Sequence, residues 1–279
     1  MKTALITGTS SGIGLDTVRV LVENGMRVIA TVRSLRDAEM IKKKYPDQVI
    51  PLLLDVSNFA QLDQLVNQLK SEHQIVKLDA LINNAGIAFA GPFANQDFNE
   101  IEKIIRVNVL GVMKMTQILI PLLAAGDNAR IINISSVAGV SAAPFLSIYA
   151  ASKHAIEGFS GALRKEMLLF GIKVIVIGPG SIKTPIWNKG FTVVKNKYEH
   201  TEFAKPFQKF IGFANSEEKN ALEVTEVSKL ILKAITSKNP SYRYAPVPRK
   251  WINVYLPKLI PQRLYNYLTA KTLGLNKRN

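Results

Sequence analysis

Short, nearly continuous apolar runs alternate along this chain with stretches of helical period. Thr3–Thr7, Arg27–Val32, Val49–Leu54, Ala80–Asn83, Arg130–Ile134 and Lys173–Ile177 are rich in β-branched residues on consecutive positions. Strands buried on both faces of a parallel sheet have that pattern. Helix-period stretches fall between them, near 12–24, 35–45, 58–72, 98–124 and 145–170. A further helix near 225–237 precedes a seventh strand near Tyr242–Val247. Successive β–α–β units demand right-handed crossovers, so the pattern predicts a doubly wound α/β fold. Its sheet should have seven strands, mostly parallel, with helices on both faces. No linker or repeat divides residues 1–279, which read as one domain. Two segments break the rhythm: residues 181–220, aromatic and mixed in charge, and residues 248–279, where three early prolines precede an amphipathic helix.

Composition narrows the compartment and the partners. The chain has no cysteine, which excludes disulfides and thiolate metal sites and fits a reducing compartment. A strand starting so near the first residue leaves no room for a signal peptide. Apolar runs such as Ile118–Ala125 fall far short of the roughly 20 residues that span a bilayer. A cytoplasmic protein is the expectation. The charge is +15, from 36 Lys and Arg against 21 Asp and Glu. Residues 241–279 hold eight basic residues (Arg243, Arg249, Lys250, Lys258, Arg263, Lys271, Lys277 and Arg278) and no acid. Nucleic acid, an anionic membrane surface or a phosphorylated small molecule could each use such a patch. Neither a helix-turn-helix nor a basic sheet face with interleaved aromatics is present, so nucleic acid is not expected.

The first candidate site follows the first strand. Gly8, Ser10, Ser11, Gly12, Ile13 and Gly14 form a glycine-rich turn that opens a helix. Glycines let backbone N–H groups approach a pyrophosphate, and the helix N-terminus adds partial positive charge. At the end of the second strand, where NAD-binding sites usually carry a carboxylate, the chain reads Thr31-Val32-Arg33-Ser34. A guanidinium there suits a ribose 2′-phosphate, so NADP(H) is the expected cofactor.

The second candidate site pairs Tyr149 with Lys153, one turn apart on a helix face. A cation within a few ångströms should lower the phenol pKa and suit it to proton transfer. Ser136 lies thirteen residues upstream, at the end of the fifth strand, the edge where open α/β sheets bind ligands. Ser135 is the neighbouring alternative, although alternation along a strand points it to the other face. Hydrolysis by Ser152 with Lys153 lacks a recognisable elbow or oxyanion context. His73, His154 and His200 are scattered, and no metal site is expected.

The G-x-x-x-G-x-G turn, Asn83-Asn84-Ala85-Gly86 and the Ser136–Tyr149–Lys153 spacing together resemble the short-chain dehydrogenase/reductase family over about residues 2–185. The resemblance implies a Rossmann-type fold moving hydride between NADP(H) and an alcohol or carbonyl substrate. Tyr149 would be the general acid in reduction and the base in oxidation. Ser136 would bind the substrate oxygen, and Lys153 the nicotinamide ribose. Asn108 matches the family asparagine that holds a relay water; the alternative is a buried, backbone-satisfied asparagine in the long helix, and the two roles can coexist. Asn84, Ala85 and Gly86 would line the adenosine-ribose side, and Asp55 and Val56 would meet the adenine. Pro179, Gly180, Ile182 and Thr184 match the family's Pro-Gly-x-x-x-Thr segment at the carboxamide. Gly178 departs from the larger or polar residue frequent there.

Further expectations follow from the resemblance. The two long helices would build a homodimer or homotetramer. Residues 185–215 would cover the substrate, and Ile186, Trp187, Phe191, Tyr198, Phe203, Phe207, Phe210, Ile211 and Phe213 suggest a bulky apolar one, a steroid, retinoid or acyl ketone. The alternative is that half of them simply pack the lid on the core. Residues 248–279 set Trp251, Ile252, Tyr255, Leu256, Leu259, Ile260, Leu264, Tyr265, Leu268 and Leu273 in a helical stripe among basic residues, which suggests peripheral contact with an anionic membrane. A non-catalytic nucleotide-binding scaffold on the same fold is the competing class.

Overall fold

The strands form where apolar, often β-branched residues run consecutively, and some of the helices start at a polar side chain that caps them. The computed structural model describes residues 1–185, 197–248 and 260–275. Strand β1 (Thr3–Ile6) leads through helix α1 (Gly12–Glu23) to β2 (Arg27–Val32), α2 (Leu35–Lys44) and β3 (Val49–Leu53). Then come α3 (Phe59–Ser71) and β4 (Ala80–Asn83). Ser34 caps α2 by accepting from Asp37 N, and Asn58 caps α3 by accepting from Gln61 N, each satisfying a donor that the first turn leaves open.

A long helical run follows: α4 (Phe98–Ile105), a π-helical segment (Arg106–Gly111) and α5 (Val112–Ala124). The sequence period predicted one uninterrupted helix here. The wider turn brings Gly111 flush against Val56, whose carbonyl oxygen lies 2.8 Å from where a Cβ would stand. Such π segments favour functional sites, and this one carries Asn108. By length and composition the run Phe98–Ala124 could cross a membrane, which a count of unbroken apolar residues did not reveal. Its Met115, Leu119, Leu122 and Leu123 are nevertheless in the core.

Strand β5 (Arg130–Ile134), α6 (Ser147–Glu166) and β6 (Lys173–Ile177) complete the second half of the fold. Beyond them lie α7 (Ala204–Lys219), α8 (Val224–Thr236), β7 (Arg243–Tyr244) and α9 (Gln262–Leu273). Helix α7 lies inside the segment that showed no rhythm. Strand β7 is two residues long rather than reaching Val247, because Pro246 and Pro248 have no N–H to give to a ladder.

The seven strands form one sheet in the order β3-β2-β1-β4-β5-β6-β7, and every pairing is parallel. Side-chain alternation sorts the core. Ala4 and Ile6 face a cluster with Val18, Leu21, Val227 and Ile231 of α1 and α8. Leu5 faces the other, with Leu62, Leu65, Met115 and Leu119 of α3 and α5. The strand order reverses between β1 and β4, and a crevice opens at the carboxyl ends of such strands.

Candidate active site

At that switch point a hydrogen-bonded frame joins β1 to β4. Asn84 Nδ2 donates to the Thr7 and Gly8 carbonyls, both at 2.9 Å, and Thr7 Oγ1 accepts from Asn84 N and Ala85 N at 3.0 and 2.9 Å. Two glycines answer to this closeness. Gly8 has φ +71°, and a Cβ on it would lie 2.9 Å from Ala85 Cα. A Cβ on Gly14 would overlap the Gly8 carbonyl oxygen and approach Asn84 Nδ2 to 2.6 Å. The Ser11 side chain, at the N-cap of α1, accepts no hydrogen bond from the first turn, which leaves those N–H groups uncapped by it, as an anion cradle requires.

A cleft of ≈ 380 Å³ runs from this cradle across the strand ends. Gly8, Ser10, Ser11, Gly12, Ile13, Gly14, Arg33, Asp55, Val56, Asn84, Ala85 and Gly86 line it. Ser136, Tyr149, Lys153, Pro179, Gly180, Ile182 and Thr184 line it as well. Arg33 is exposed at the end of β2. The nearest following acid, Asp37, is held by the Ser34 hydroxyl at 2.7 Å. Asp55 Oδ1 accepts from Ser57 N and Oγ at 2.8 and 2.6 Å, which fixes the turn after β3.

Tyr149 is buried, and its side chain is hydrogen-bonded to Ser136. Burial pushes the phenol above its ordinary pKa, and the Ser136 bond opposes that only in part. This reverses the lowering expected from the sequence. Lys153 Nζ lies 5.8 Å from the Tyr149 ring centroid and donates to the Ile134 carbonyl at 2.9 Å. Burial also lowers Lys153 to about 8, against the pull of Glu157.

Ser135 is also among the residues at the cleft. Its buried Oγ has no hydrogen-bond partner among the described residues and lies against Gly139, whereas Ser136 Oγ accepts from Ala138 N and meets Tyr149. Asn108 stands behind the wall rather than in it. Its Nδ2 donates to Ile87 O at 2.9 Å and Ser152 Oγ at 3.1 Å, and its Oδ1 accepts from Ile87 N at 2.9 Å. The backbone-satisfied asparagine is therefore present. A Cβ on Gly86 would stand 3.5 Å from Asn108 Oδ1 and 3.7 Å from Lys153 Nζ, so the two side chains close on the same point. Ser152 is fully buried, bonded to Tyr149 O and Asn108, and is no nucleophile.

A family model for short chain dehydrogenases matches residues 2–193. The chain belongs to that family. It is 34% identical to an NADPH-dependent 3-dehydrocapnine reductase from Ornithobacterium rhinotracheale, over 98% of each chain. It is 35% identical to a 3-ketodihydrosphingosine reductase from Bacteroides thetaiotaomicron, over 86% of this chain and 85% of the other. A short-chain dehydrogenase from Streptomyces avermitilis shares the fold, with a TM-score of 0.76 at 23% identity over 99% and 98% of the two chains. The protein is thus an oxidoreductase of the short-chain dehydrogenase family with a Rossmann-type sheet.

Parts of this oxidoreductase's cleft escaped the sequence reading. Phe89 and Lys103 line it without belonging to any motif. Of the nine residues expected to cover the substrate, Ile186, Trp187 and Phe191 lie outside the described residues. Phe207 and Phe210 are buried against Phe145 in edge-on and tilted ring contacts of 5.3 and 5.5 Å, and Tyr198 meets Phe207 edge-on at 5.2 Å, which makes all three core. Phe203 and Ile211 are partly buried on the same cluster, and Phe213 faces outward. The spacing of Phe203, Phe207 and Phe210 was the available signal for α7.

Proposed function

We propose that the protein is an NADP(H)-dependent reductase of a bulky apolar ketone, running in reverse as an alcohol dehydrogenase. The observation that carries this reading is the buried Ser136–Tyr149 hydrogen bond beside Lys153, in the same cleft as a glycine cradle that any Cβ would fill. The cradle and the bare N-terminus of α1 fit a pyrophosphate. Arg33, with no acid in the cleft at the end of β2, fits a 2′-phosphate. Lys153, Ile182 and Thr184 would hold the nicotinamide half. The bound nicotinamide supplies the hydride. Ser136 donates a hydrogen bond to the substrate oxygen and stabilises the charge that grows there. Tyr149, a neutral phenol near pH 7, then gives that oxygen its proton.

Leu146 packs both on Tyr149 and on the Phe145–Phe207–Phe210 cluster, so an apolar wall begins beside the acid. The reductases named above are the further support for a substrate of this kind. Exposed Leu168, Leu169 and Phe170 at the end of α6 favour association of copies at that end of the long helices.

The membrane contact belongs to the same reading. Helix α9 buries Leu273 against the aromatic cluster. Its opposite face exposes Leu264, Tyr267 and Leu268 with Arg263 and Lys271 and carries no acid, as interfacial helices do. Arg243 leaves the basic patch, being paired with Glu157. Trp251, Ile252, Tyr255, Leu256 and Leu259 lie outside the described residues.

The test is NADPH consumption with 3-ketodihydrosphingosine, a steroid ketone, retinal and a small polar ketone. Turnover should favour the apolar carbonyls. Turnover of the small polar ketone alone contradicts the substrate class, and none with any carbonyl contradicts the function.

A further inference from the structure

Gly178 departs from the family pattern, and the structure gives the reason. A Cβ there would overlap the guanidinium of Arg243, whose Cζ would be 2.9 Å away. Arg243 comes from β7, a strand of two residues at the sheet edge. Its Nε donates to both Glu157 oxygens, at 3.1 and 3.2 Å, and its Nη2 lies 3.1 Å from Oε1. The same Nη2 reaches the Ser136 carbonyl at 3.5 Å. Glu157 stands one turn beyond Lys153 on α6, and its Cγ would be 3.1 Å from a Cβ on Gly139, in the turn that follows Ser136.

We propose that Arg243 and Glu157 are positioning residues that hold Ser136 and Lys153 in register for proton transfer, with Gly178 as the space that admits the guanidinium. The proposal rests on the proton-transfer reading of Ser136, Tyr149 and Lys153. Arg243 holds the Ser136 backbone from the sheet edge while Glu157 braces the turn after it, so the hydroxyl that meets Tyr149 is fixed from two sides. Both partners are mostly shielded, with side-chain exposures of 30% and 18%. An arginine fork suits this double duty, since it offers several donors in one plane. The carboxylate also favours the charged form of Lys153, and Arg243 behind it tempers that pull.

A plain clamp between β7 and α6 would use the same contacts, so the test must separate the two. Arg243→Met and Gly178→Ala remove the guanidinium or displace it. With the best ketone of the panel each should lower kcat about 10-fold or more, since small misplacements of reacting groups have large effects. KM and NADPH affinity should stay within roughly 3-fold, because no binding contact is removed. Arg243→Lys should recover part of kcat. The titratable groups around Lys153 are Tyr149 and Glu157, with Arg243 beyond. Glu157→Gln should therefore move the alkaline limb of kcat/KM to lower pH, and Arg243→Met should move it to higher pH. Folded variants with wild-type kcat, or with kcat, KM and thermal stability all degraded together and the limb unmoved, overturn the proposal. Tyr149→Phe is the control. If it is inactive while Arg243→Met is normal, only the positioning role falls. If it is active, the reading of the site falls first.

Discussion

Lys153 donates to the Ile134 carbonyl at 2.9 Å, while the Tyr149 ring centroid lies 5.8 Å from the same ammonium. The lysine is thus anchored to the end of β5, with two N–H groups left for other partners. Its burial has a measurable signature. The folded protein releases this proton near 8, the unfolded chain near 10.5. Between those values the unfolded state binds more protons, so stability rises with pH there. Below pH 8 the buried charge opposes folding in full.

Lys153→Met should therefore gain stability relative to wild type most at pH 7, and the gain should shrink as the pH rises toward 10. The shift of 2.5 (10.5 − 8) implies a change of roughly 2 kcal/mol in the difference between the two proteins from pH 7 to pH 10. Urea denaturation of the cofactor-free proteins at the two pH values measures it. A difference that does not change with pH contradicts the assignment.

Cofactor choice rests on Arg33. Arg33→Ala should weaken NADPH by roughly 1.5–3 kcal/mol, the range of a charged hydrogen bond, and leave NADH nearly unchanged. Titrations with both nucleotides decide this, and a wild-type protein that uses both equally contradicts it.

Gly14→Ala tests the cradle. Its Cβ has nowhere to go but into the Gly8 carbonyl and Asn84, both fixed by the β1–β4 frame. The variant should lose about 1–3 kcal/mol of stability, as overpacked sites do, and NADPH binding with it. Calorimetry in the presence and absence of NADPH would show both. Unimpaired binding means the loop is not the phosphate site.

The sequence carried the frame of this molecule well and its details unevenly. The six long strands were legible because burial on both faces leaves mostly apolar residues, as in Ile131 and Ile132 of β5. The cleft residues were legible because they sit in turns whose chemistry is local, such as Gly8–Gly14. What depended on contacts distant in sequence was not. The π segment at Asn108 answers to Val56, and the shift at Tyr149 to its burial. The need for Gly178 comes from Arg243, which looked like part of a basic patch. Helix α7 hid in its own aromatic pattern, since Phe207 and Phe210 pack on Phe145, which is distant in sequence.

Membrane docking predicts salt-sensitive binding. The protein should float with anionic vesicles at low salt, less at high salt and little with neutral vesicles, because each basic residue near an anionic leaflet is worth about 1 kcal/mol. Leu264→Asp with Leu268→Asp should abolish flotation and leave turnover of soluble ketones intact. Absence from anionic vesicles at low salt, or indifference to the double substitution, ends the idea.

The central claim is that the Tyr149 phenol gives the proton to the substrate oxygen, with Ser136 beside it. Tyr149→Phe removes one oxygen from a buried ring. The measurement is kcat for NADPH-dependent reduction of 3-ketodihydrosphingosine, or of the best ketone found, with NADPH affinity measured on the same sample. The account predicts a fall in kcat of about 100-fold or more, in the range of general acid catalysis, with NADPH affinity nearly unchanged. A variant that retains kcat within tenfold of wild type, while binding NADPH normally, would contradict it.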